Sequence, residues 1–436
     1  MNAIVAVVDH RLPRLAWLVD LAASRPRILR GADVELFADG LFEGCWDGAF
    51  ESSGFDGPHQ LFGSGFRIHA DEILFLTPSH TLDALFVLER GGAFVVANSL
   101  PFLVQYAGLE LPFDLAIGFR FASVKKGVAA YERLLFTGAG WRLHRIAFEN
   151  FVIGREGLRA VPKPAEPDFT DYAGYRSFLH GVLGRVATNA ASPARRARYG
   201  LMTTCSSGYD STACAALTAS LGGNRALSLR TAKGGDVDSG RPIAQALGLE
   251  LTELERPSRA VGGGAPEAEF LATGMGGEDY VFVGFGGHCS GSLLLTGFHG
   301  DIVWDRHAEP TPDIVRKDVS GSTMGEFRLR EGFVHVPVPF LAARRLEQLV
   351  RVANSREMVP YQVGGHYDRP IPRRIVEESG VARGSFAQVK RAGSIAFNYM
   401  GMLWSSDSLA ELRAFERRTL QEQGFSPTLY RASWGG

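Results

Sequence analysis

The chain has 436 residues, of which 45% are apolar and 21% charged, and 46 Lys and Arg side chains nearly balance 47 Asp and Glu. The net charge of −1 lacks the basic excess that nucleic-acid binding requires. The four cysteines are too few and too scattered for a disulfide framework or a CxxC metal site. The apolar run at residues 3–8 is too short for a signal peptide, and no run reaches the roughly 18 apolar residues of a membrane helix. We therefore expect a cytoplasmic protein without a nucleic-acid or membrane partner, and we consider a homodimer possible.

The first 160 residues predict a mostly β or α+β unit. Short apolar or alternating runs are separated by turn residues there, which is typical of strands. The runs read AIVAVV, DVELFAD, GAFES, QLFGSGFRIHA, EILFLTPSH, ALFVLER and GAFVVAN, and a further group follows in YERLLFTGAGWRLHRIAFENFVIGREG.

A stretch with three prolines, AVPKPAEPDFTDYAG, predicts a linker after this unit. Apolar residues at helical spacing then predict a helix over residues 171–191. We place a first domain at residues 1–160 and a second at residues 170–425.

Beyond residue 196 the chain alternates between predicted strands and helices. The strands are predicted at residues 201–205, 226–229, 249–255 and 293–296, and the helices at 211–221, 238–247 and 267–273. Such alternation predicts an α/β domain with a doubly wound parallel sheet. From about residue 340 onward the sequence is mainly helical.

The turn after the strand at 201–205 reads SSGYDS, residues 206–211. Ligands of doubly wound sheets bind beyond the carboxyl ends of the strands, where helix N-terminal amides attract anions. Gly208 allows close approach of an anion, and three serines (Ser206, Ser207 and Ser211) add hydroxyl donors. Asp210 would repel a phosphate unless a cation lay between them, which favours Mg²⁺. The alternative is an ordinary strand–turn–helix with a Ser/Asp cap.

The same six residues resemble the S-G-G-x-D-S signature of the PP-loop ATP pyrophosphatases, most closely that of the asparagine synthetase family. Members of that family split ATP between the α- and β-phosphates, and this loop holds the departing pyrophosphate. Ser207 replaces the second residue of the signature, usually glycine, and adds a hydroxyl donor. The resemblance implies that ATP is the ligand of the turn and that Ser206, Ser207, Gly208, Asp210 and Ser211 bind it.

A later stretch, LLLTGFHGDIVW, resembles the S-G-E-G-A-D-E element of the same family, with Thr296, Gly297, Gly300 and Asp301 matching. The resemblance implies that Gly297 contacts the nucleotide and that Asp301 is a second Mg²⁺ ligand.

Three positions of this stretch differ from the family. Phe298 replaces the glutamate that helps to hold the amino-acid substrate, His299 replaces a glycine, and Ile302 replaces the last glutamate. We therefore expect that free aspartate is not accepted in the way usual for this family.

Further residues are assigned by position within the resemblance. Val336 to Ala342 resemble the x-P-F-L-D element, with Ala342 replacing the aspartate. YDRPIPRRIVEESGVARGSFAQVKRAG resembles the region that places an arginine and a lysine over the nucleotide, here Arg374 and Lys390, for which a solvated surface lysine is the alternative. In RALSLRTA, backbone groups around Leu229 and Arg230 would bind adenine, although Leu229 is equally a core residue. The remaining candidates for a substrate pocket, some of which could instead cap a loop, are Glu278, Asp279, Phe298 and His299.

The N-terminal half resembles the glutamine amidotransferase domain of the same family only weakly. Family members begin M-C-G-I and use the cysteine as nucleophile, whereas this chain begins MNAI, with Asn2 and Ala3. An asparagine side chain has no thiol with which to form the covalent intermediate. The resemblance implies a degenerate Ntn-type αββα sandwich domain without glutaminase activity, next to the PP-loop domain.

Beta-lactam synthetases and lasso-peptide cyclases combine an inert N-terminal domain with an adenylating domain in this way. We therefore expect an enzyme that uses ATP and Mg²⁺ to adenylate a small-molecule or peptide carboxylate and transfers the acyl group to an amine, releasing AMP and pyrophosphate. One alternative is an ammonia-dependent asparagine synthetase relative that amidates a metabolite or sugar carboxylate. Another is an inert nucleotide-binding scaffold. A PP-loop tRNA-modifying enzyme is disfavoured by the lack of a basic surface and of cysteines for sulfur transfer.

Overall fold

The computed structural model describes residues 6–22, 26–57, 60–111, 117–257, 264–272, 276–391 and 404–422. Within these ranges no helix combines the length and the apolar character needed to cross a bilayer. Asn2 and Ala3, on which the expected loss of glutaminase activity depends, lie outside the described residues.

Two β-sheets and two short helices form the first part of the chain. Its elements are β1 (Ala6–Val8), β2 (Trp17–Asp20), β3 (Arg27–Arg30), β4 (Glu35–Phe37), β5 (Gly40–Trp46), β6 (Leu61–Ile68), β7 (Glu72–Leu76), β8 (Leu85–Arg90), β9 (Ala93–Ala97), α1 (Leu100–Ala107), α2 (Ile117–Ala122), β10 (Leu134–Gly138), β11 (Trp141–Ile146), β12 (Asn150–Gly154) and β13 (Gly157–Val161). One sheet has the order β1-β3-β2-β9-β8-β11-β10 and the other β13-β12-β7-β6-β5-β4.

The alternation of side chains along each strand explains how these sheets are layered. On β2, Trp17 and Val19 point into the core between the two sheets, whereas Leu18 points to the helices α1 and α2 on the outer face. The helix α1 begins where Ser99 accepts a hydrogen bond from the Phe102 amide and ends at Gly108, whose φ of 59° is favourable for glycine. The mostly β unit predicted from the sequence is present as two sheets packed face to face with α1 and α2 on one outer face, which fits the sandwich that the resemblance implies.

The second part of the chain follows after Val161. Its elements are α3 (Tyr172–Ala191), β14 (Gly200–Thr204), α4 (Tyr209–Ser220), β15 (Arg225–Leu229), α5 (Arg241–Ala246), β16 (Glu250–Leu254), α6 (Ala268–Leu271), α7 (Gly286–Cys289), β17 (Ser292–Thr296), α8 (Gly300–Val303), α9 (Gly325–Glu331), β18 (Val334–Pro337), α10 (Leu346–Ala353), α11 (Pro370–Glu378) and α12 (Ser406–Glu422). A 3₁₀ helix at Tyr280–Phe285 matters for the site.

The strands β14 to β18 form a five-stranded, entirely parallel sheet with the order β16-β15-β14-β17-β18. The parallel doubly wound sheet predicted from the sequence is confirmed, and the predicted boundaries of its strands and helices lie within three residues of the observed ones. The largest shift is at α5, which begins at Arg241 instead of residue 238. The reason is that Asp238 binds the turn before α4, as described below.

The two parts of the chain are in direct contact. The helix α3 packs against both β5 and β14. The stretch with three prolines before α3 is anchored to the first part of the chain, because buried Lys163 donates a hydrogen bond to the carbonyl of Thr77. Buried Arg328 on α9 forms a two-point ion pair with Glu43 on β5, at 2.8 and 3.1 Å. The stretch predicted as a linker is therefore a packed connection.

Candidate functional site

A cavity of about 440 Å³ lies at the carboxyl ends of β14, β15 and β17. Of the five strands, β14 comes first in the chain and lies in the middle of the sheet. The next two strands, β15 and β16, lie on one side of β14, and β17 and β18 lie on the other, so the winding direction reverses at β14. Ligands of open α/β sheets bind at such a switch point, and the volume is within the range of about 300–1,000 Å³ typical of ligand pockets.

The turn between β14 and α4 lines one wall of the cavity through Ser206, Gly208, Asp210 and Ser211. The hydroxyls of Ser206 and Ser211 lie 2.7 Å apart, and the Gly208 amide donates to the Ser206 hydroxyl at 3.2 Å. The first amides of the 12-residue helix α4 have no acceptor within the helix. The turn therefore gathers hydroxyl and amide donors at a helix N-terminus, which is an environment suited to an anion.

Gly208 has ordinary local geometry. Its φ of −82° is open to any residue, so the special backbone conformation expected for it is not used. A β-carbon at this position would lie 3.6 Å from both the Ser206 hydroxyl and the Tyr367 hydroxyl, which is an ordinary contact distance. Neither the backbone nor the surrounding space therefore requires glycine here.

Ser207 is directed away from the other two serines. Its hydroxyl donates to Asp238 at 2.6 Å and accepts from Arg391 at 3.0 Å. Ser207 therefore does not line the cavity with the rest of the turn, and the ligand contact predicted for it is not present. Its hydroxyl instead connects the turn to Asp238, before α5, and to Arg391, near the C-terminus.

Asp210 and Asp301 both line the cavity, one in the first turn of α4 and the other in α8. The Oδ2 atom of Asp210 pairs with Arg369, whereas its Oδ1 atom is buried and has no hydrogen-bond partner among the described residues. Burial raises the pKa of Asp210 and outweighs the lowering by Arg369, with a further rise from Asp301. The predicted convergence of the two carboxylates is thus present.

Two glycines permit this convergence. A β-carbon on Gly297 would lie 2.6 Å from the backbone carbon of Asp210, and one on Gly300 would lie 2.7 Å from Oδ1 of Asp210. Real β-carbons do not approach other atoms so closely, so only glycine brings the turn after β17 against the start of α4.

These residues fit a divalent cation. Asp301 is 29% exposed, and its nearest cation, Lys317, lies 3.8 Å from its Oδ2 atom. Within the described part of the chain, no third acidic, histidine or cysteine side chain completes a cluster. Mg²⁺ usually takes one or two carboxylates and draws its other ligands from phosphates and water, so the partnerless Oδ1 atom of Asp210 together with Asp301 is a suitable donor set.

Three cationic side chains also line the cavity: Arg369, Lys390 and Arg391. Arg369 is buried, and the Nε atom of Arg391 is buried without a hydrogen-bond partner among the described residues. Lys390 lines the cavity and is exposed to the solvent, so its predicted place over a nucleotide and the alternative of a solvated lysine both stay open.

The arginine assigned from the sequence is not the one in the cavity. Arg374 pairs with Glu357 and Glu378 on the outer side of α11, and its guanidinium lies 4.0 Å from the ring of Tyr172. Arg369, at the N-terminus of the same helix, occupies the predicted place instead. The reason is that five residues of helix separate the two side chains by about 140° around the axis, at 100° per residue.

An apolar wall completes the cavity. Leu227 and Leu229 on β15 and Val281, Phe282 and Phe285 of the 3₁₀ helix line this side. Leu229 thus lines the cavity as predicted.

The predicted contribution of Arg230 is corrected. Its side chain points to the solvent and pairs with Glu253 and Glu255. Its backbone amide donates to Leu254 and its carbonyl accepts from Asp238, so both backbone groups are already used within the sheet and its loop.

The remaining predicted pocket residues separate into two groups. Phe298 and His299 line the cavity, and His299 adopts a φ of 74°, in the left-handed region that favours glycine. Burial lowers the pKa of His299 to about 3, so the ring is neutral. Asp279 lines the cavity but is held by the amides of Gly321 and Thr323, so it fixes a loop. Glu278 does not line the cavity.

All four cysteines of the chain are buried. Burial raises the pKa of Cys45 to about 11 and those of Cys205 and Cys289 to about 12, and it also raises the pKa of Cys214. Because the thiolate is the nucleophile, none of these thiols is suited to glutamine hydrolysis.

Sequence reasoning missed several residues of the cavity: Thr231, Asp238, Val281, Phe282, Asp318, Ser320, Tyr367, Arg369 and Arg391. Two of them are close in sequence to residues that were assigned. Arg369 lies five positions before Arg374 in DRPIPRR, and Arg391 directly follows Lys390. A signal for Arg369 was present, because Pro370 marks the first turn of a helix and thus places Arg369 at its N-terminus.

No protein-family model and no curated protein matches the chain. Among solved structures, it is similar to the allosteric regulatory enzyme of purine biosynthesis, with 10% identity, a TM-score of 0.21 and coverage of 58% of this chain and 62% of that chain. It is also similar to glutamine phosphoribosylpyrophosphate amidotransferase from B. subtilis complexed with ADP and GMP, with 10% identity, a TM-score of 0.20 and coverage of 56% and 60%. The chain covers less than two thirds of either structure, and TM-scores this low establish no shared fold.

Proposed function

We propose that the protein is an ATP-dependent ligase of the asparagine synthetase type, which adenylates a carboxylate and transfers the acyl group to an amine. The observation that carries this proposal is the pairing of the serine-rich turn at α4 with two converging aspartates in one cavity. A turn rich in hydroxyl and amide donors suits a phosphate chain, and the aspartates require a cation between themselves and that chain.

The cavity offers distinct environments for the parts of ATP. The triphosphate would lie on the turn, beside Asp210 and Asp301. Three cationic side chains of the same cavity would lie near it: Lys390, Arg391 and Arg369, the last of which pairs with Asp210. Adenine would lie against Leu229 and Val281 on the β15 side. Asp210 and Asp301 would hold Mg²⁺, which would neutralise phosphate charge.

The reaction has two steps. An oxygen of the substrate carboxylate attacks the α-phosphorus, the bond from that phosphorus to the α–β bridging oxygen breaks, and pyrophosphate leaves. The amine nitrogen then attacks the acyl carbon of the adenylate, the bond to AMP breaks, and one amine proton passes to the solvent. Arg369, Lys390 and Arg391 would stabilise the negative charge that develops on the departing groups, which is commonly the largest contribution to such catalysis.

The nitrogen would come from an amine or from free ammonia. Each of the four thiols is buried, which supports the absence of a glutaminase step in a degenerate amidotransferase-like first domain.

The test is pyrophosphate release from the full chain with ATP, Mg²⁺ and pooled carboxylates and amines. The proposal predicts release that needs a carboxylate and is abolished in Asp210→Ala. Release that depends on ammonium instead of a larger amine would identify the ammonia-dependent alternative. ATP binding without turnover across a broad panel would identify a nucleotide-binding scaffold and contradict the proposal.

A further inference from the structure

The cavity also has an apolar surface on its β17 side, which is continuous through Phe282 with the wall proposed for adenine. The sheet order places β15 on one side of β14 and β17 on the other, so residues after β15 and after β17 flank the turn from opposite sides. Leu229 belongs to the β15 side, whereas Phe298 and His299 follow β17. A nucleotide whose adenine lies on the β15 side therefore leaves the β17 side to the other substrate.

Packing from three directions fixes the position of Phe298. Its ring lies 5.7 Å from that of His335 in an edge-on arrangement and 6.4 Å from that of Phe282. Gly321, with a φ of 86°, lies so close that an added β-carbon would be 3.0 Å from the Phe298 ring. Phe298 is therefore a rigid aromatic surface on this side of the cavity.

The floor beneath Phe298 is neutral. The Thr296 hydroxyl, at the end of β17, lies 2.7 Å from Nε2 of buried His335. Burial lowers the pKa of His335 to about 3. His335 therefore supplies no positive charge to a ligand on the β17 side.

The nearby cations are already engaged by protein acceptors. Buried Arg316 donates to the Ser322 hydroxyl at 2.8 Å and to the Ser320 carbonyl, and Lys317 donates to the Asp301 carbonyl at 3.0 Å. The cationic residues that line the described part of the cavity are Arg369, Lys390 and Arg391, and they belong to the phosphate side. Asp318, an acidic residue of the cavity with no role in the proposed metal site, would repel a second carboxylate.

We infer that the β17 side of the cavity accepts an uncharged, apolar acyl group, aromatic or branched aliphatic, and that Phe298 determines this preference. The inference rests on the proposed function, because it assigns the substrate class of that same site. A dicarboxylic substrate such as aspartate would have to bury its second carboxylate against Phe298 without a cation, which is strongly unfavourable.

The experiment traps the acyl-adenylate with hydroxylamine and measures hydroxamate formation from phenylacetate, 3-methylbutanoate, succinate and aspartate. ATP binding and binding of the acids are measured in parallel by ligand-observed NMR. The wild-type chain should favour the two apolar acids over the two dicarboxylates by at least about tenfold in kcat/KM, the discrimination that small differences in pocket contacts supply.

Variants separate specificity from general damage. Phe298→Leu should keep the order of the acids while lowering the value for phenylacetate, whereas Phe298→Glu should abolish the apolar preference. Leu229→Ala, on the β15 side, should raise KM for ATP and leave the order of the acids unchanged.

The failures are distinguishable. If ATP binds but the dicarboxylates are activated as well as the apolar acids, or the apolar acids do not bind saturably, the inference on substrate class is overturned and the nucleotide site stands. If ATP itself does not bind, the proposed function fails and the inference fails with it.

Discussion

Gly300 lies directly against the carboxyl group of Asp210, so that a β-carbon built on Gly300 would be 2.6 Å from Cγ of Asp210. This contact brings the turn after β17 to the start of α4 and places Asp301, the next residue, beside Asp210. Local glycine geometry thus controls the two-carboxylate arrangement on which the proposed function depends.

Gly300→Ala should separate the two carboxylates. The added methyl group forces Asp210 or the turn to move, which should cost about 1–3 kcal/mol of stability, as overpacking usually does. ATP binding, measured by fluorescence of a labelled nucleotide, should weaken more than tenfold. Gly287→Ala is the matched control, because its β-carbon would meet no atom within 4 Å. Equal affinities for the two variants would contradict the importance of this contact.

Arg369→Met should weaken ATP binding by at least about tenfold. The substitution removes the charge-assisted hydrogen bond that the Arg369 guanidinium would donate to a phosphate, and such a bond contributes roughly 1.5–3 kcal/mol. The same titration on Arg374→Met tests the corrected assignment, since Arg374 belongs to the same helix but pairs with Glu357 and Glu378 outside the cavity. A larger loss in Arg374→Met than in Arg369→Met would reverse that correction.

Arg328→Met should lower the free energy of unfolding by about 3–5 kcal/mol, because it leaves buried Glu43 without its cation. Urea denaturation measures this change. Arg330→Met, two residues further along α9, is the control and removes the ion pair between Arg330 and Glu269. Because Arg330 is 49% exposed, this change should lower the free energy of unfolding by only about 0–1 kcal/mol. Similar costs for the two variants would show that the contact between the two parts of the chain contributes little.

Glu326 should make stability depend on pH near neutrality. Burial raises the pKa of its carboxyl group, which accepts from the Ser99 hydroxyl, to about 7. A carboxyl group whose pKa is raised on folding contributes its full stabilisation of the folded state below the pKa that it has in the unfolded chain. This contribution is lost as the pH rises through the pKa of the folded state, here about 7.

Thermal unfolding from pH 5 to pH 8 should therefore show a decline of about 2–3 kcal/mol attributable to this group, at 1.36 kcal/mol per pKa unit. Glu326→Gln should remove that part of the pH dependence and raise stability at pH 8. The exposed Glu309→Gln variant should follow the wild-type profile. An unchanged profile in Glu326→Gln would show that Glu326 is ionised throughout.

The sequence predicted the parallel sheet and the glycine-bearing turn because both have local signatures. Apolar periodicity placed β14 and α4 within two residues, and turn composition identified Ser206 and Asp210. The partners of the turn depend on long-range packing instead. Arg369 reaches Asp210 across 159 positions of sequence, and although Pro370 places Arg369 at a helix N-terminus, it does not identify Asp210 as its partner. The outward direction of Ser207 likewise follows from Asp238, whose position depends on the loop before α5.

The central claim is that Asp210 and Asp301 bind one Mg²⁺ beside the phosphates of ATP, and calorimetric titration with an ATP analogue whose α–β bridge cannot be cleaved tests it most directly. The account predicts saturable binding that weakens at least about tenfold when Mg²⁺ is chelated or when Asp210→Asn or Asp301→Asn is introduced, as expected for loss of a charged ligand. Asp305→Asn, which also lies near Lys317 but does not line the cavity, should bind as the wild type does. Wild-type affinity in both Asp210→Asn and Asp301→Asn, or affinity that is indifferent to Mg²⁺, would contradict it.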